Sequence, residues 1–265
     1  MNLKSVLSGI EGLKAKGNLD MEIMGVAHDS RKVKEGYVFV AVKGYDVDGH
    51  NYIHQAIENG AKVIVVEDIS SIKQSGLPEN ITLVVAPNTR EALAKMACNF
   101  YDNPSKKFNL IGITGTKGKT TTTFMIKSIL EKSGQKVGLI GTVANYIGDK
   151  NLGESSRTTP ESLELQELFA EMVKEKVETV VMEVSSQSLK LHRVDGCDFN
   201  IGVFTNFSED HISEKEHPDM QDYFNSKLKL FDMCKKGFIN IDDYQVAKVK
   251  KLATNCDIKT YGIDN

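Results

Sequence analysis

Thr114-Gly115-Thr116-Lys117-Gly118-Lys119-Thr120-Thr121 is a glycine-rich run that follows an apolar stretch, 109–113, and precedes a helical pattern, 119–132. Glycines permit a tight turn that directs backbone N–H groups at an anion, and the N-terminus of the next helix adds its dipole. Lys119 would place a charge on the β- and γ-phosphates, and the Thr120 hydroxyl is a group that ligates Mg²⁺. The run therefore predicts a strand–loop–helix unit that binds a nucleotide.

The loop departs from the general phosphate-loop pattern at one position. That pattern places a glycine five residues before Gly118, where this chain has Ile113, flanked by Gly112 and Gly115. A loop rich in glycine and lysine that holds no ligand is the alternative. The strand–loop–helix context favours phosphate binding.

Apolar runs and helical patterns alternate on both sides of this loop, which is typical of the α/β class with a parallel sheet covered on both faces. The predicted strands are 37–42, 62–66, 81–86, 109–113, 136–140, 179–183 and 200–204. The predicted helices are 52–59, 89–100, 119–132, 160–175 and 219–231, followed by a strand, a helix and a strand up to Tyr261.

A proline among polar and basic residues, at 103–107, predicts a linker between two domains. The first, 1–104, is expected to be a small α/β domain. The second, 108–265, is expected to be a P-loop-type parallel-sheet ATPase domain. In the first domain, Asn88 is the predicted N-cap of the helix that begins at Thr89.

Composition narrows the class of protein. The 265 residues are 40% hydrophobic and 26% charged, with a formal net charge of -3, so no basic field indicates nucleic acid as a partner. No apolar run reaches the roughly 18–20 residues that a membrane span needs, and residues 1–16 lack a signal-peptide pattern. The four cysteines have neither zinc-ligand nor redox spacing, which predicts reduced thiols in a cytoplasmic protein.

Three segments outside the loop carry candidate site residues. Glu183 ends an apolar strand, so it is either a solvated strand end or, beside a phosphate loop, a Mg²⁺ ligand. Lys227 lies on the apolar face of a predicted helix. Its amine either reaches the surface or is buried, and a buried amine would be a candidate functional group, because burial of an unpaired charge is costly. The segment from His28 to Arg31 follows a short strand; its residues alone favour a polar turn over a diphosphate or uracil contact.

The loop and these segments together resemble the Mur ligase family, and the string Met-Glu-Val-Ser-Ser at 182–186 resembles its MurE-type members, which add diaminopimelate or lysine. The Asp-Ser-Arg segment at 29–31 and Thr-Asn-x-x-x-Asp-His at 205–211 also resemble family motifs. The resemblance implies a UDP-binding first domain, and ATP on the loop. The ATP-binding residues implied are Gly115, Thr116, Lys117, Gly118, Lys119, Thr120 and Thr121.

The resemblance also implies the remaining site residues. Lys119, Glu183, His211 and Lys227, the last as a carbamate, are expected to be catalytic; Mg²⁺ is expected on Thr120, Glu183, His211 and carbamylated Lys227. UDP-N-acetylmuramoyl-L-alanyl-D-glutamate is expected to contact Ser30, Thr158, Thr159, Ser185 and Arg193.

The reaction implied is ATP-dependent amide formation through an acyl phosphate, with meso-diaminopimelate or L-lysine as the amine. Family members have a C-terminal amino-acid-binding domain, and this chain is expected to stop inside the central domain. Two alternatives stay open: a non-catalytic nucleotide- or UDP-sugar-binding fragment, and another ligase of the same superfamily. The oligomeric state is not predicted.

Overall fold

A computed structural model describes residues 1–44, 47–72, 76–155, 157–210, 212–213, 216–253 and 255–263. The chain forms two compact units, Met1–Asp102 and Asn103–Asn265. Each unit has its own sheet.

The first unit is built on a five-stranded sheet in the order β1-β5-β4-β3-β2. Strands β2 to β5 pair in parallel, and β1 joins the edge antiparallel to β5. Its strands are β1 (Lys14–Lys16), β2 (Gly25–Ala27), β3 (Tyr37–Val40), β4 (Ala61–Val66) and β5 (Thr82–Val85). Its helices are α1 (Leu3–Val6), α2 (Ile53–Glu58) and α3 (Thr89–Phe100), with 3₁₀ turns at Ser30–Lys32, Gly49–Tyr52 and Ile69–Ser71.

Helix α3 begins and ends where the sequence predicts. The Asn88 side chain accepts hydrogen bonds from the backbone N–H groups of Arg90 and Glu91, which satisfies two of the donors that a helix start leaves open. Its apolar side, which includes Leu93 and Met96, is buried in the unit. Burial of that face fixes the helix.

The second unit contains an eight-stranded sheet in the order β13-β12-β11-β6-β10-β7-β8-β9. Its strands are β6 (Asn109–Thr114), β7 (Val137–Ile140), β8 (Ala144–Ile147), β9 (Lys150–Glu154), β10 (Thr179–Glu183), β11 (Phe199–Phe204), β12 (Cys234–Asn240) and β13 (Asp257–Tyr261). The predicted parallel sheet is present, and an antiparallel hairpin of β8 and β9, which was not predicted, extends it at one edge beyond β7.

The helices of the second unit are α4 (Lys119–Lys132), α5 (Ser162–Lys174), α6 (Ser186–Lys190), α7 (Met220–Asp232) and α8 (Val249–Leu252), with 3₁₀ turns at Pro104–Lys107 and Val246–Lys248. Helix α4 has its predicted bounds. Helix α5 begins two residues later than predicted: Glu161 is its N-cap, in an extended conformation, so Pro160 precedes the helix instead of opening it. Helix α6 was not predicted.

The predicted linker belongs to the second unit. Residues Pro104–Lys107 form a 3₁₀ turn, in which Pro104 and Ser105 are buried. The Ser105 hydroxyl accepts a hydrogen bond from the Asp198 backbone N–H at 3.2 Å. A proline followed by polar residues therefore caps the sheet here instead of forming a solvated connection.

The centre of this sheet brings three strand ends to one edge. Strand β6 pairs in parallel with both β10 and β11, so Thr114, Glu183 and Phe204 all end at the same side. Gly112 allows close packing at this point, because a Cβ there would lie 2.6 Å from the Phe199 ring. The carboxyl edge of parallel strands is where open α/β sheets bind ligands.

The composition predicted no membrane-spanning segment and no paired cysteines. Among the residues the structure describes, no helix has both the length and the apolar character needed to cross a bilayer. All four cysteines are free thiols, and three of them are buried.

Candidate functional site

The loop between β6 and α4 takes a conformation that only glycine accommodates at two points. Gly115 has φ +142°, and a Cβ on it would lie 2.0 Å from the Thr205 hydroxyl oxygen. Gly118, at φ +83°, is the N-cap residue of α4 and leaves the helix start without a side-chain cap. The first N–H groups of a 14-residue helix are therefore directed at the loop mouth, the arrangement that binds a phosphate.

The residues after β11 hold this loop in place. The Thr116 N–H donates to the Asn206 carbonyl at 2.9 Å. The Asn206 side chain accepts from the Lys117 N–H at 2.9 Å and donates to the Lys117 carbonyl at 3.0 Å. The sequence suggested that loop N–H groups face the phosphates; those of Thr116 and Lys117 instead brace the loop. Sequence reasoning missed the role of Asn206.

Lys119 turns back over the loop. Its Nζ donates to the carbonyls of Gly115 and Thr116 at 3.0 and 3.1 Å. Burial lowers the pKa of Lys119 below its ordinary value, and the Glu183 carboxylate partly opposes this shift. A phosphate group entering the loop mouth would give this amine a charged partner in place of two carbonyls.

Glu183, at the end of β10, is 1% exposed, which excludes the solvated strand end. Both of its carboxylate oxygens lie 3.0 Å from the Thr120 hydroxyl. It also accepts from the backbone N–H and the hydroxyl of Thr142, at 2.9 and 3.1 Å. Gly141 makes room for it, because a Cβ there would lie 2.5 Å from Oε1. A buried carboxylate is thus fixed beside the first turn of α4.

Lys227 is the most buried cationic side chain of α7, with 1% exposure, so it does not reach the surface. Its Nζ donates to the Gly115 carbonyl at 2.8 Å and lies 4.4 Å from the centre of the Tyr223 ring. Burial, and then the nearby charge of Lys119, lower the pKa of Lys227 well below its ordinary value. Lys229, on the same helix, is exposed.

His211 lies outside the residues that the structure describes. The residue before it, Asp210, forms an ion pair with Lys117 at 2.7 Å. Two of the other predicted metal ligands, Thr120 and Glu183, are in contact with each other. No group of three or more His, Cys, Asp or Glu side chains that could hold a metal ion occurs in the described ranges.

A cavity of about 210 Å³ opens beside the loop. Six of the residues predicted to act at the site line it: Lys119, Thr158, Thr159, Ser185, Arg193 and Lys227. Five further lining residues were not predicted: Arg157, Ser186, Gln187, Glu216 and His217. The predicted nucleotide-side and substrate-side residues of this unit therefore meet at one place.

The predicted hydroxyl residues of the cavity have different roles in the fold. Thr159 is buried; its hydroxyl donates to the Glu183 carbonyl at 3.0 Å and accepts from the Ser185 N–H at 3.1 Å. Ser185 caps α6 by accepting from the Ser188 N–H. The Thr158 hydroxyl lies 3.1 Å from that of Thr142 and so links the cavity to the partner of Glu183.

Like Lys227, Arg193 is a buried basic side chain of the cavity wall. Its Nε lies 2.9 Å from the Glu161 carboxylate, and Nη1 lies 3.5 Å from the Thr159 carbonyl. Arg157, which is half-exposed, also pairs with Glu161. Two guanidinium groups thus share one carboxylate at the cavity, and their positive charge suits an anionic ligand.

Ser30 belongs to the first unit. It is buried, its hydroxyl donates to the Gln55 side chain at 2.7 Å, and its carbonyl accepts from Asn59 at 2.8 Å. Its neighbours Asp29 and Arg31 form a two-point ion pair, which lowers the pKa of Asp29 to about 2. Ser30 as a substrate contact remains a prediction.

A parallel sheet whose central strand leads into a glycine-rich loop, with a lysine and a buried carboxylate over that loop, defines a P-loop-type nucleotide-binding unit. Comparison with known families is more specific. Residues 113–265 match the Mur ligase middle domain, and residues 22–101 match the Mur ligase family, catalytic domain. The chain belongs to the Mur ligase family.

Its relatives include proteins named UDP-N-acetylmuramoyl-L-alanyl-D-glutamate--2,6-diaminopimelate ligase. The one from Clostridium botulinum is 52% identical over 100% of this chain and 53% of that protein. The one from Caldanaerobacter subterraneus subsp. tengcongensis is 49% identical over 99% of this chain and 53% of that protein. A solved structure with the same name superposes with a TM-score of 0.82 at 25% identity, over 100% of this chain and 53% of that chain. The chain spans about half the length of these relatives.

Proposed function

We propose that the protein uses ATP to join the D-glutamyl carboxylate of UDP-N-acetylmuramoyl-L-alanyl-D-glutamate to an amine of meso-diaminopimelate, in the synthesis of a peptidoglycan precursor. The observation that carries this proposal is the meeting of Lys119 with Arg193 around one cavity. The cations suit a nucleotide phosphate on one side and a carboxylate on the other. The names of the relatives favour diaminopimelate over L-lysine as the amine.

The proposed reaction has two steps. A carboxylate oxygen of the D-glutamyl group attacks the γ-phosphorus of ATP, and ADP leaves with the bonding electron pair. The amine then attacks the carbonyl carbon of the acyl phosphate, loses a proton, and expels inorganic phosphate. Neither step needs a protein nucleophile, so the chain would act by positioning its substrates and stabilising charge.

Each part of the site has a role in this proposal. Lys119 and the N-terminus of α4 would hold the β- and γ-phosphates of ATP. Arg193 would orient the carboxylate that is phosphorylated. Thr158 and Ser185, which line the same cavity, would contact the muramoyl-peptide. Ser30 is proposed as a substrate contact by resemblance to the family alone.

The donors around Glu183 fit Mg²⁺. Mg²⁺ prefers oxygen ligands, and the Glu183 carboxylate and the Thr120 hydroxyl supply two kinds of them. Their oxygens lie 3.0 Å apart. Mg²⁺ bound there would neutralise charge on the phosphoryl oxygens. His211 is proposed as a ligand of a further Mg²⁺, by resemblance to the family.

Lys227 is proposed to act as a carbamate. Addition of CO₂ to an amine forms an N–C bond and releases one proton, and it requires the neutral amine. Burial favours that neutral form, since it lowers the pKa of Lys227. The product is an anion on the wall shared by the loop and the cavity. Lys227→Ala is expected to lose most of the ligase activity, whereas activity near that of the native protein would remove Lys227 from the mechanism.

The experiment is an incubation of the protein with ATP, Mg²⁺ and UDP-N-acetylmuramoyl-L-alanyl-D-glutamate, with meso-diaminopimelate or L-lysine in separate reactions. We expect phosphate release and a tripeptide product by mass spectrometry, with diaminopimelate preferred. No product with either amine would refute the proposal. Binding of both substrates without turnover would support the alternative of a binding fragment.

A further inference from the structure

His217 is a fully buried histidine in the wall of the cavity, and no part of the proposed reaction uses it. Its Nδ1 lies 2.7 Å from a carboxylate oxygen of Asp222, and its Nε2 lies 2.9 Å from the Ser186 hydroxyl oxygen. Its ring also packs 5.0 Å from that of Tyr223, centre to centre. Three contacts on three sides fix the imidazole in one orientation.

The partners of His217 determine where its proton lies. An ionised carboxylate only accepts hydrogen bonds, so Nδ1 carries the hydrogen and donates it to Asp222. Lys190 donates to the same carboxylate oxygen at 2.8 Å, which keeps Asp222 ionised. Burial lowers the pKa of His217 and favours the neutral ring; the Asp222 carboxylate opposes this shift, and the charge of Lys190 adds to it. Nε2 is therefore an acceptor.

An acceptor at Nε2 sets the direction of the Ser186 hydroxyl. Ser186 must donate its only hydrogen to His217, so its oxygen can offer only lone pairs to the cavity that it lines. A serine that is free to rotate could donate or accept; this one is restricted to accepting. The cationic groups of the wall, Arg193 and Lys119, suit anions, whereas the Ser186 oxygen suits an N–H donor.

We propose that Ser186 accepts a hydrogen bond from a peptide amide N–H of the acyl donor, and that His217 is the positioning residue that makes Ser186 an acceptor. This inference rests on the proposed function, because the peptide part of the acyl donor of that reaction carries two amide N–H groups, one on L-alanine and one on D-glutamate. Both N–H groups lie within a few covalent bonds of the D-glutamyl carboxylate that reacts. The contact would hold the peptide in register with Arg193.

The test is calorimetric binding of the acyl donor and of two analogues, in which an ester oxygen replaces the alanine or the glutamate N–H. We expect the native chain to bind one analogue about 3- to 10-fold more weakly than the amide, the range for one neutral hydrogen bond. Ser186→Ala should bind the amide and that analogue equally well. His217→Asn retains a partner for Asp222 but leaves the Ser186 hydroxyl free to donate as well as to accept, so its discrimination between the amide and that analogue should be smaller than that of the native chain.

His217→Gln provides the rescue, since its side-chain oxygen can accept at the position of Nε2 and should restore discrimination. His192→Asn is the matched control: His192 also pairs with an aspartate, Asp195, at 2.7 Å, but does not line the cavity. Its φ of +58° is one that asparagine tolerates. We expect this control to discriminate as the native chain does, and ADP affinity to be unchanged in every variant.

The outcomes separate the two proposals. A native chain that does not bind the amide donor refutes the proposed function. A native chain that binds the amide and both esters equally well refutes the role of Ser186. Discrimination that persists in Ser186→Ala does the same, and this variant removes only one buried oxygen, so it decides the question even if the His217 variants fail to fold.

Discussion

Replacing Lys227 by methionine should make the protein more stable while removing the group proposed to become a carbamate. Methionine has a similar length and no charge. The native amine is 1% exposed, and burial lowers its pKa well below the ordinary value. Folding therefore requires a lysine either to give up its proton or to carry a charge in an apolar site, and both reduce the free energy of unfolding.

The size of the effect follows from two opposing contributions. The hydrogen bond from Nζ to the Gly115 carbonyl would be lost, at a cost of about 1 kcal/mol, but that carbonyl still accepts from Lys119 at 3.0 Å. Replacing a buried ion pair by apolar residues of similar volume often stabilises a protein by about 1–4 kcal/mol, and we expect the same range for this one buried amine. The net gain of about 0–3 kcal/mol corresponds to a rise of up to about 12 °C in the melting temperature for a unit of this size.

The assay is thermal unfolding at pH 7 and pH 10 in bicarbonate-free buffer, so that no carbamate forms. The unfolded lysine binds a proton up to a pH of about 10.4, whereas the buried lysine releases it at lower pH. The unfolded state thus binds more protons over this interval, and the stability of the native protein rises with pH. Methionine does not titrate, so the advantage of the variant should be largest at pH 7 and shrink at pH 10.

Lys229→Met is the control, because Lys229 is on the same helix but exposed. Its effect should stay within about 0.5 kcal/mol at both pH values. A Lys227→Met variant that melts below the native protein at pH 7, or an advantage that is equal at both pH values, would refute the account of Lys227 as a buried, neutral amine.

Three further substitutions probe the loop and its carboxylate. Glu183→Gln retains the volume but removes the charge, so ADP affinity measured with Mg²⁺ should fall about tenfold while affinity without Mg²⁺ changes little; equal changes would contradict a metal role. Gly115→Ala places a Cβ 2.0 Å from the Thr205 hydroxyl oxygen, and we expect no measurable ATP binding by calorimetry, whereas affinity within threefold of native would show that the loop adapts. Asn206→Ala removes both side-chain bonds to the Lys117 backbone, each worth about 0.5–1.5 kcal/mol, so the Kd for ADP should rise about 5- to 100-fold; an unchanged Kd would mean that the loop is rigid without this support.

Elements whose ends carry their own chemical signal were predicted well. Helix α3 starts after the capping Asn88, and helix α4 starts after Gly118, whose positive φ few other residues adopt. The hairpin of β8 and β9 was missed although a signal exists: Gly148-Asp149 is a two-residue turn between Ile147 and Lys150, which pair across it. The hairpin is short and half-buried, so it lacks the long apolar pattern of the other strands.

The candidate site was predicted only in part, for a similar reason. Residues that carry charge toward a ligand, such as Lys119 and Glu183, follow strands in the sequence and can be found from that position. Asn206 and His217 act through contacts with segments about 90 and 30 residues away. A sequence pattern within one segment holds no information on such contacts, so only the fold reveals them.

The order of strands in the second sheet also determines which part of this unit exchanges its amide hydrogens last. Strand β6 is hydrogen-bonded on both sides, to β10 and β11, whereas β9 and β13 are the outermost strands of the sheet. Outer strands open in local fluctuations, while central ones exchange only when the whole cooperative unit unfolds. The phosphate loop thus follows the strand that we expect to exchange most slowly. The amides of β9 and β13 should exchange for deuterium while those of β6 are still protected.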